Sequence, residues 1–134
     1  MAKIVIVDDD VELAEAMAKV LAVDGYEVQI ETSPLKAVEA MRKDPPALAI
    51  LDVMFPEDSS EGFTMARTMR ADGTLRRVPI LMLTAINLKF PLGFSSSDID
   101  DVWMPVSDFL EKPVDLDVLR EKVSLILKKS DGRG

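Results

Sequence analysis

Short runs of apolar residues alternate along this chain with stretches in which apolar positions recur every three or four residues. Ile4-Val-Ile-Val7 is followed by Leu13, Ala14, Met17, Val20 and Leu21, which predicts a strand buried on both faces leading into an amphipathic helix. Asp10 stands where an N-cap is needed and Gly25 where a helix stops. A second strand is expected over residues 27–31. Ser33-Pro34 then supplies an N-cap and first turn for a helix carrying Ala37, Val38 and Met41, which must end before Pro45-Pro46. Leu48-Ala-Ile-Leu51 predicts a third strand that ends on Asp52, a residue costly to bury as an unpaired charge. After a loop from Phe55 to Glu61, Phe63, Ala66 and Met69 share one side of a helix, with Arg67 and Arg70 on the wet side. Val78 to Leu83 predicts a fourth strand and Ser107 to Glu111 a shorter fifth. Leu116, Leu119, Val123, Ile126 and Leu127 mark a last helix whose end is suited by Lys128-Lys129.

Repeated strand–helix units joined by short loops imply right-handed crossovers and a parallel sheet with helices on both faces. One segment breaks the rhythm. Between Ala85 and Val106, Pro91, Gly93, Ser95-Ser-Ser97 and Pro105 argue against a long regular helix, and residues 87–105 read as a long loop of the kind that is often functional.

Composition narrows the functions. A chain of 134 residues supports one domain with a real core. Its net charge of -8 argues against nucleic acid as a direct partner, because phosphate neutralisation needs clustered Lys and Arg. With no His, zinc sites and a His-based triad are disfavoured. No apolar run approaches the roughly 20 residues that span a bilayer, so membrane insertion is not expected. The absence of Cys and of a signal-peptide pattern makes a cytoplasmic location the expectation.

The chemistry gathers at predicted strand ends: Asp8-Asp9 after the first, Asp52 at the third, Thr84 at the fourth and Lys112 at the fifth. In open α/β sheets the ligand site lies beyond the carboxyl ends of the strands, where strand order reverses. Three carboxylates there would repel unless a cation sat among them. Mg²⁺ suits such oxygen ligands and keeps waters that a phosphate can replace. Each residue alone has an ordinary structural explanation: Asp10 as a cap, Thr84 as a turn residue, Lys112 as a surface charge, Met54 and Phe109 as packing. Only the set points to chemistry.

The motifs "IVIVDDD", "LAILDVMFP", "PILMLTA" and "DFLEKPV", in this order and across nearly the whole chain, resemble the receiver domain of two-component response regulators. The resemblance implies a flavodoxin-like doubly wound five-stranded parallel sheet in the order 2-1-3-4-5, with the fourth helix short or irregular here. It implies a receiver domain over residues 1–129 and a short tail over 130–134. By the same resemblance Asp52 is the phosphoacceptor, and Mg²⁺ is held by Asp8, Asp9, Asp52 and the backbone carbonyl of Met54. Thr84 and Lys112 complete the catalytic set by contacting phosphoryl oxygens, and Thr84 and Phe109 occupy switch positions. The phosphoryl group would come from a sensor histidine kinase or a phosphotransfer protein. The phosphorylated module, with a homodimer as an allowed form, would change conformation to regulate a downstream protein. It would be no enzyme beyond catalysing its own phosphorylation and dephosphorylation. Two alternatives share the fold or the chemistry. A haloacid-dehalogenase-like phosphatase places a second acid two residues after its nucleophile, where this chain has Met54. A flavodoxin-like flavin binder wants a hydroxyl- and Gly-rich phosphate loop where this chain has three aspartates.

Overall fold

The computed structural model describes residues 2–52, 61–85 and 108–132. Strands β1 (Lys3–Val7), β2 (Glu27–Glu31), β3 (Leu48–Asp52), β4 (Ile80–Ala85) and β5 (Asp108–Lys112) form one sheet in the order β2-β1-β3-β4-β5. All four pairings are parallel. Helices α1 (Val11–Val23), α2 (Pro34–Lys43), α3 (Glu61–Ala71) and α4 (Leu116–Gly132) cover its two faces. This is the parallel sheet with helices on both faces that the repeating strand–helix pattern implies, in the doubly wound flavodoxin-like order that the resemblance implies.

The pleat of the strands sorts the apolar residues into two cores. Val5 and Val7 of β1, Ala49 and Leu51 of β3, and Ile80 and Met82 of β4 cluster with Ala37 and Met41 of α2 and Met65 and Met69 of α3. Ile4, Ile6, Leu48, Ile50, Leu81 and Leu83 cluster instead with Ala14, Met17 and Leu21 of α1 and Leu119 and Val123 of α4. A central strand with helices on both sides has no wet face. That is why β3 reads as an unbroken apolar run and is buried along its whole length. At the edge, no residue of β2 is fully buried, and its apolar Val28 and Ile30 pack in part against the α1 side. Glu27, Gln29 and Glu31 project to the other side, where the Gln29 amide donates to the Glu31 carboxylate at 2.7 Å.

Local chemistry sets the element ends. Asp10 has extended dihedrals (φ -85, ψ 93) and its side chain accepts the Leu13 N–H, so α1 starts where the cap residue predicts. Gly25 takes φ 97, which a side chain would disfavour, and lets the chain turn from α1 into β2. Ser33 occupies the N-cap of α2 without a side-chain bond; Pro34 fixes the first turn, and the Ser33 carbonyl accepts the Ala37 N–H at 2.9 Å.

The bounds of β4, β5 and α4 differ from the sequence pattern. β4 begins at Ile80, not Val78, because the Val78 N–H is committed to the Leu75 carbonyl at 3.0 Å in the preceding turn. β5 starts and ends one residue later than expected. α4 continues to Gly132, three residues past the expected domain limit at 129. Arg70 is also not merely on the wet side. Its guanidinium donates to the carbonyls of Val78 (2.7 Å) and Arg76 (3.0 Å), holding the α3–β4 turn closed. The helix expected to be short or irregular, and the whole of segment 87–105, lie outside the described residues. Among the described residues, no helix is long and apolar enough to cross a membrane.

Charge pairs tie the layers at the periphery. Arg120 of α4 forks onto Asp24 at the end of α1 (2.8 and 2.7 Å), and Lys3 pairs with Asp44 beyond α2 at 2.7 Å. Asp72, after α3, accepts the Thr74 and Leu75 amides (2.8 and 3.2 Å) and pairs with Arg42 of α2. The Thr74 amide, then the Arg42 guanidinium, hold the Asp72 carboxyl below its usual range. A carboxyl whose pKa is depressed on folding stabilises the fold above its unfolded value, and that contribution disappears as pH falls through the folded value. Asp72→Asn should therefore lower the urea midpoint at about pH 7, with the gap to wild type closing toward about pH 3. A gap independent of pH over that window would mean that the charge of Asp72 is not what stabilises the turn.

Candidate functional site

The register of β1 on β3 builds the site. Val7 lies beside Leu51, so the next residues, Asp8 and Asp52, leave the two neighbouring strands together at the carboxyl edge. The Asp8 N–H still bonds the Glu31 carbonyl at 3.0 Å, which extends the ladder onto β2 by one step. Asp52 is the last residue of β3 and pairs with Leu83 of β4. Both aspartates are fully buried, whereas Asp9, on the turn toward α1, is exposed. One carboxylate oxygen from each of the three lies within 4.8 Å of the others.

The donor set decides which cation suits this cluster. It consists of hard anionic oxygens, with no sulfur or imidazole among them, and so fits Mg²⁺ rather than zinc or copper. The exposed member gives the cluster an open side, on which a cation could keep part of its water shell. Asp8 is also oriented from behind: its Oδ1 accepts the Asp10 N–H at 2.9 Å. That bond was not anticipated from the sequence, where Asp10 was read as a cap alone. The signal was present in the two-residue spacing, since an aspartate commonly bonds the backbone two residues on. The contribution of Glu31 comes from its carbonyl, which no side-chain pattern could announce.

The remaining expected site residues fall as follows. Thr84 pairs with Glu111 and Ala85 with Lys112, so the backbones of Thr84, next to last in β4, and Lys112, last in β5, lie at the same carboxyl edge as the aspartates. Thr84 stands one residue beyond the partner of Asp52. Phe109 lies within β5 beside Met82, three residues before Lys112. Met54 lies outside the described residues.

A doubly wound parallel sheet with Asp8, Asp9 and Asp52 clustered at its carboxyl edge defines a flavodoxin-like α/β protein. The response regulator receiver domain matches residues 4–124, and the chain belongs to that family. It is 30% identical over 131 residues to the DNA-binding dual master transcriptional regulator RpaA of Synechocystis sp., covering 98% of this chain and 51% of that protein. The chain thus spans about half the length of such curated relatives. Among solved structures, a Chloroflexus aurantiacus protein assigned as a response regulator superposes with a TM-score of 0.78 at 33% identity, covering 95% of this chain and 98% of that one. Chemotaxis protein CheY4 of Vibrio cholerae gives 0.78 at 25% identity, covering 94% and 98%.

Three carboxylates with oxygens within 4.8 Å of one another are expected to repel when no cation is present. Asp52→Asn, nearly isosteric, should raise the unfolding free energy in chelator by about 1–2 kcal/mol, the low end of a like-charge contact at intermediate dielectric. Millimolar Mg²⁺ should stabilise the wild type more than the variant and narrow the difference. Urea titrations with and without Mg²⁺ measure both; a variant less stable than wild type in chelator would show that repulsion does not dominate at Asp52.

Proposed function

We propose that this chain is a phosphoacceptor signalling module of a two-component phosphorelay, with Asp52 as the residue that is phosphorylated. The observation that carries the reading is the convergence of Asp8, Asp9 and Asp52 within 4.8 Å at the end of the sheet. Asp52 stands on the central strand, between the strand that leads to the acidic pair on one side and the strands that carry Thr84 and Lys112 on the other.

The chemistry follows from that placement. A carboxylate oxygen of Asp52 attacks phosphorus, forming an acylphosphate, while the P–N bond of a donor phosphohistidine breaks and the imidazole nitrogen keeps the electron pair. Anion meets anion in this step, so the charge of the phosphoryl group must be offset. Mg²⁺, when bound by Asp8, Asp9, Asp52 and the Met54 carbonyl, supplies part of that offset. Lys112 supplies the rest through its ammonium, and the Thr84 hydroxyl donates to a phosphoryl oxygen. Reversal by water regenerates Asp52, so the module catalyses only its own labelling and release. Thr84 moving toward the phosphoryl group, together with Phe109, would carry the change outward to a protein partner.

Histidine kinases or phosphotransfer proteins are the donors this reading requires, in the cytoplasm, and the output is regulation of a further protein. The net charge of -8 favours a protein rather than DNA as the surface this module touches. The same acidic cluster disfavours a flavin phosphate, and Met54 stands where a phosphatase of the haloacid-dehalogenase type would need its second acid.

Incubation with acetyl phosphate and Mg²⁺ should add one hydroxylamine-sensitive phosphoryl group to the wild type and none to Asp52→Asn, read by intact mass. Lys112→Ala keeps the nucleophile and should slow labelling by about 10²–10³-fold. Full labelling of Asp52→Asn would move the acceptor to another residue and overturn the assignment.

A further inference from the structure

Only three residues, Asp8, Asp9 and Asp10, separate the end of β1 from the start of α1, and two carboxylate-to-amide bonds run through them in series. Asp8 Oδ1 accepts the Asp10 N–H at 2.9 Å, and Asp10 Oδ1 accepts the Leu13 N–H at 3.1 Å. The Asp10 carbonyl in turn accepts the Ala14 N–H at 3.0 Å. From this chain of bonds we infer that Asp10 is a positioning residue for the cation site: its cap on α1 aims its own amide at Asp8 and so fixes how the Asp8 carboxylate faces Asp9 and Asp52. The inference rests on the reading of Asp8, Asp9 and Asp52 as a Mg²⁺ site.

The geometry gives a direct mechanical reason. Relative to α1, the direction of the Asp10 N–H is set by the φ and ψ of Asp10, since the N–H lies in the planar peptide that precedes its Cα. With its side chain bonded to Leu13 and its carbonyl bonded to Ala14, Asp10 is held at φ -85, ψ 93, and its N–H direction is held with it. Without the cap, the first turn of α1 frays. The amide then swings, and Asp8 loses the bond that selects its rotamer. Groups behind a metal ligand act in this way, and losing one commonly weakens metal binding by at least an order of magnitude. Asp10 is not itself a member of the cluster, which comprises Asp8, Asp9 and Asp52. Its carboxylate points into the helix terminus, where both the Leu13 amide and the helix dipole favour a negative group. Three consecutive aspartates thus divide the work: one buried and oriented, one exposed, and one that orients.

An ordinary cap would cost stability when removed and nothing else, so the test separates affinity from stability. Mg²⁺ is titrated calorimetrically into the metal-free full chain, well below the onset of unfolding, for the wild type and four variants. Asp10→Ala should bind Mg²⁺ about tenfold more weakly, whereas Asp10→Asn, which keeps a capping oxygen without the charge, should stay within about twofold of wild type. Should Asp10→Ala fail to fold, Asp10→Gly, tolerated at an N-cap but lacking the acceptor, should show the same weakening. Asp115→Ala removes the equivalent cap of α4, where Asp115 accepts the Asp117 and Val118 amides at 2.9 and 3.3 Å; it should lose stability and keep its affinity. Wild-type affinity in the foldable cap-deleted variant, Asn as weak as Ala, or Asp115→Ala equally weakened would each overturn the role of Asp10. Absence of Mg²⁺ binding by the wild type would overturn the cation site itself, a separable result.

Discussion

The parallel pairing of β1 with β3, Val7 beside Leu51, is the constraint on which the rest of this molecule depends. It aligns the apolar positions of two central strands so that alternate residues feed two separate cores, and it fixes which residues leave the sheet as neighbours. A slip of one residue would turn every side chain of β3 to the opposite face. It would also separate Asp8 from Asp52. Core formation and site formation are therefore one event, selected by the same hydrogen-bond ladder.

This coupling explains how two fully buried aspartates are held side by side. Their backbones belong to strands whose burial is strongly favourable, so the apolar runs behind them hold the carboxylates at an unfavourable separation. The sheet acts as a clamp, and the favourable side of the balance is spread over residues such as Ile4, Ile6, Ile50 and Leu51, each fully buried.

Much of this was legible in the sequence because the decisive signals were periodic or local. Unbroken apolar runs leading to Asp8 and Asp52 reported central parallel strands, and the strand order came from the resemblance to receiver domains. Asp10, Gly25 and Pro34 marked helix ends through backbone preferences that act within a few residues. What escaped depended on carbonyl groups, which every residue carries and no pattern records. The bonds from Arg70 to the Val78 and Arg76 carbonyls made a residue expected on the wet side into a fastener. The Val78 amide, committed to Leu75, delayed β4 by two residues. At the site, residue types announced the aspartates, but the orientation of Asp8 came from the amide of Asp10.

The edge strand β2 carries a further consequence. Its outer border has no neighbouring strand among the described residues, and Glu27, Gln29 and Glu31 line one of its faces. If a second copy added itself there as an antiparallel strand centred on Gln29, Glu27 of each chain would meet Glu31 of the other, and like charges directly opposite one another oppose such pairing. A shifted register would place glutamates against Val28 and Ile30 and expose the apolar pair. Among the described residues, the β2 border, which could otherwise seed open-ended sheet growth, is thus guarded by its own side chains.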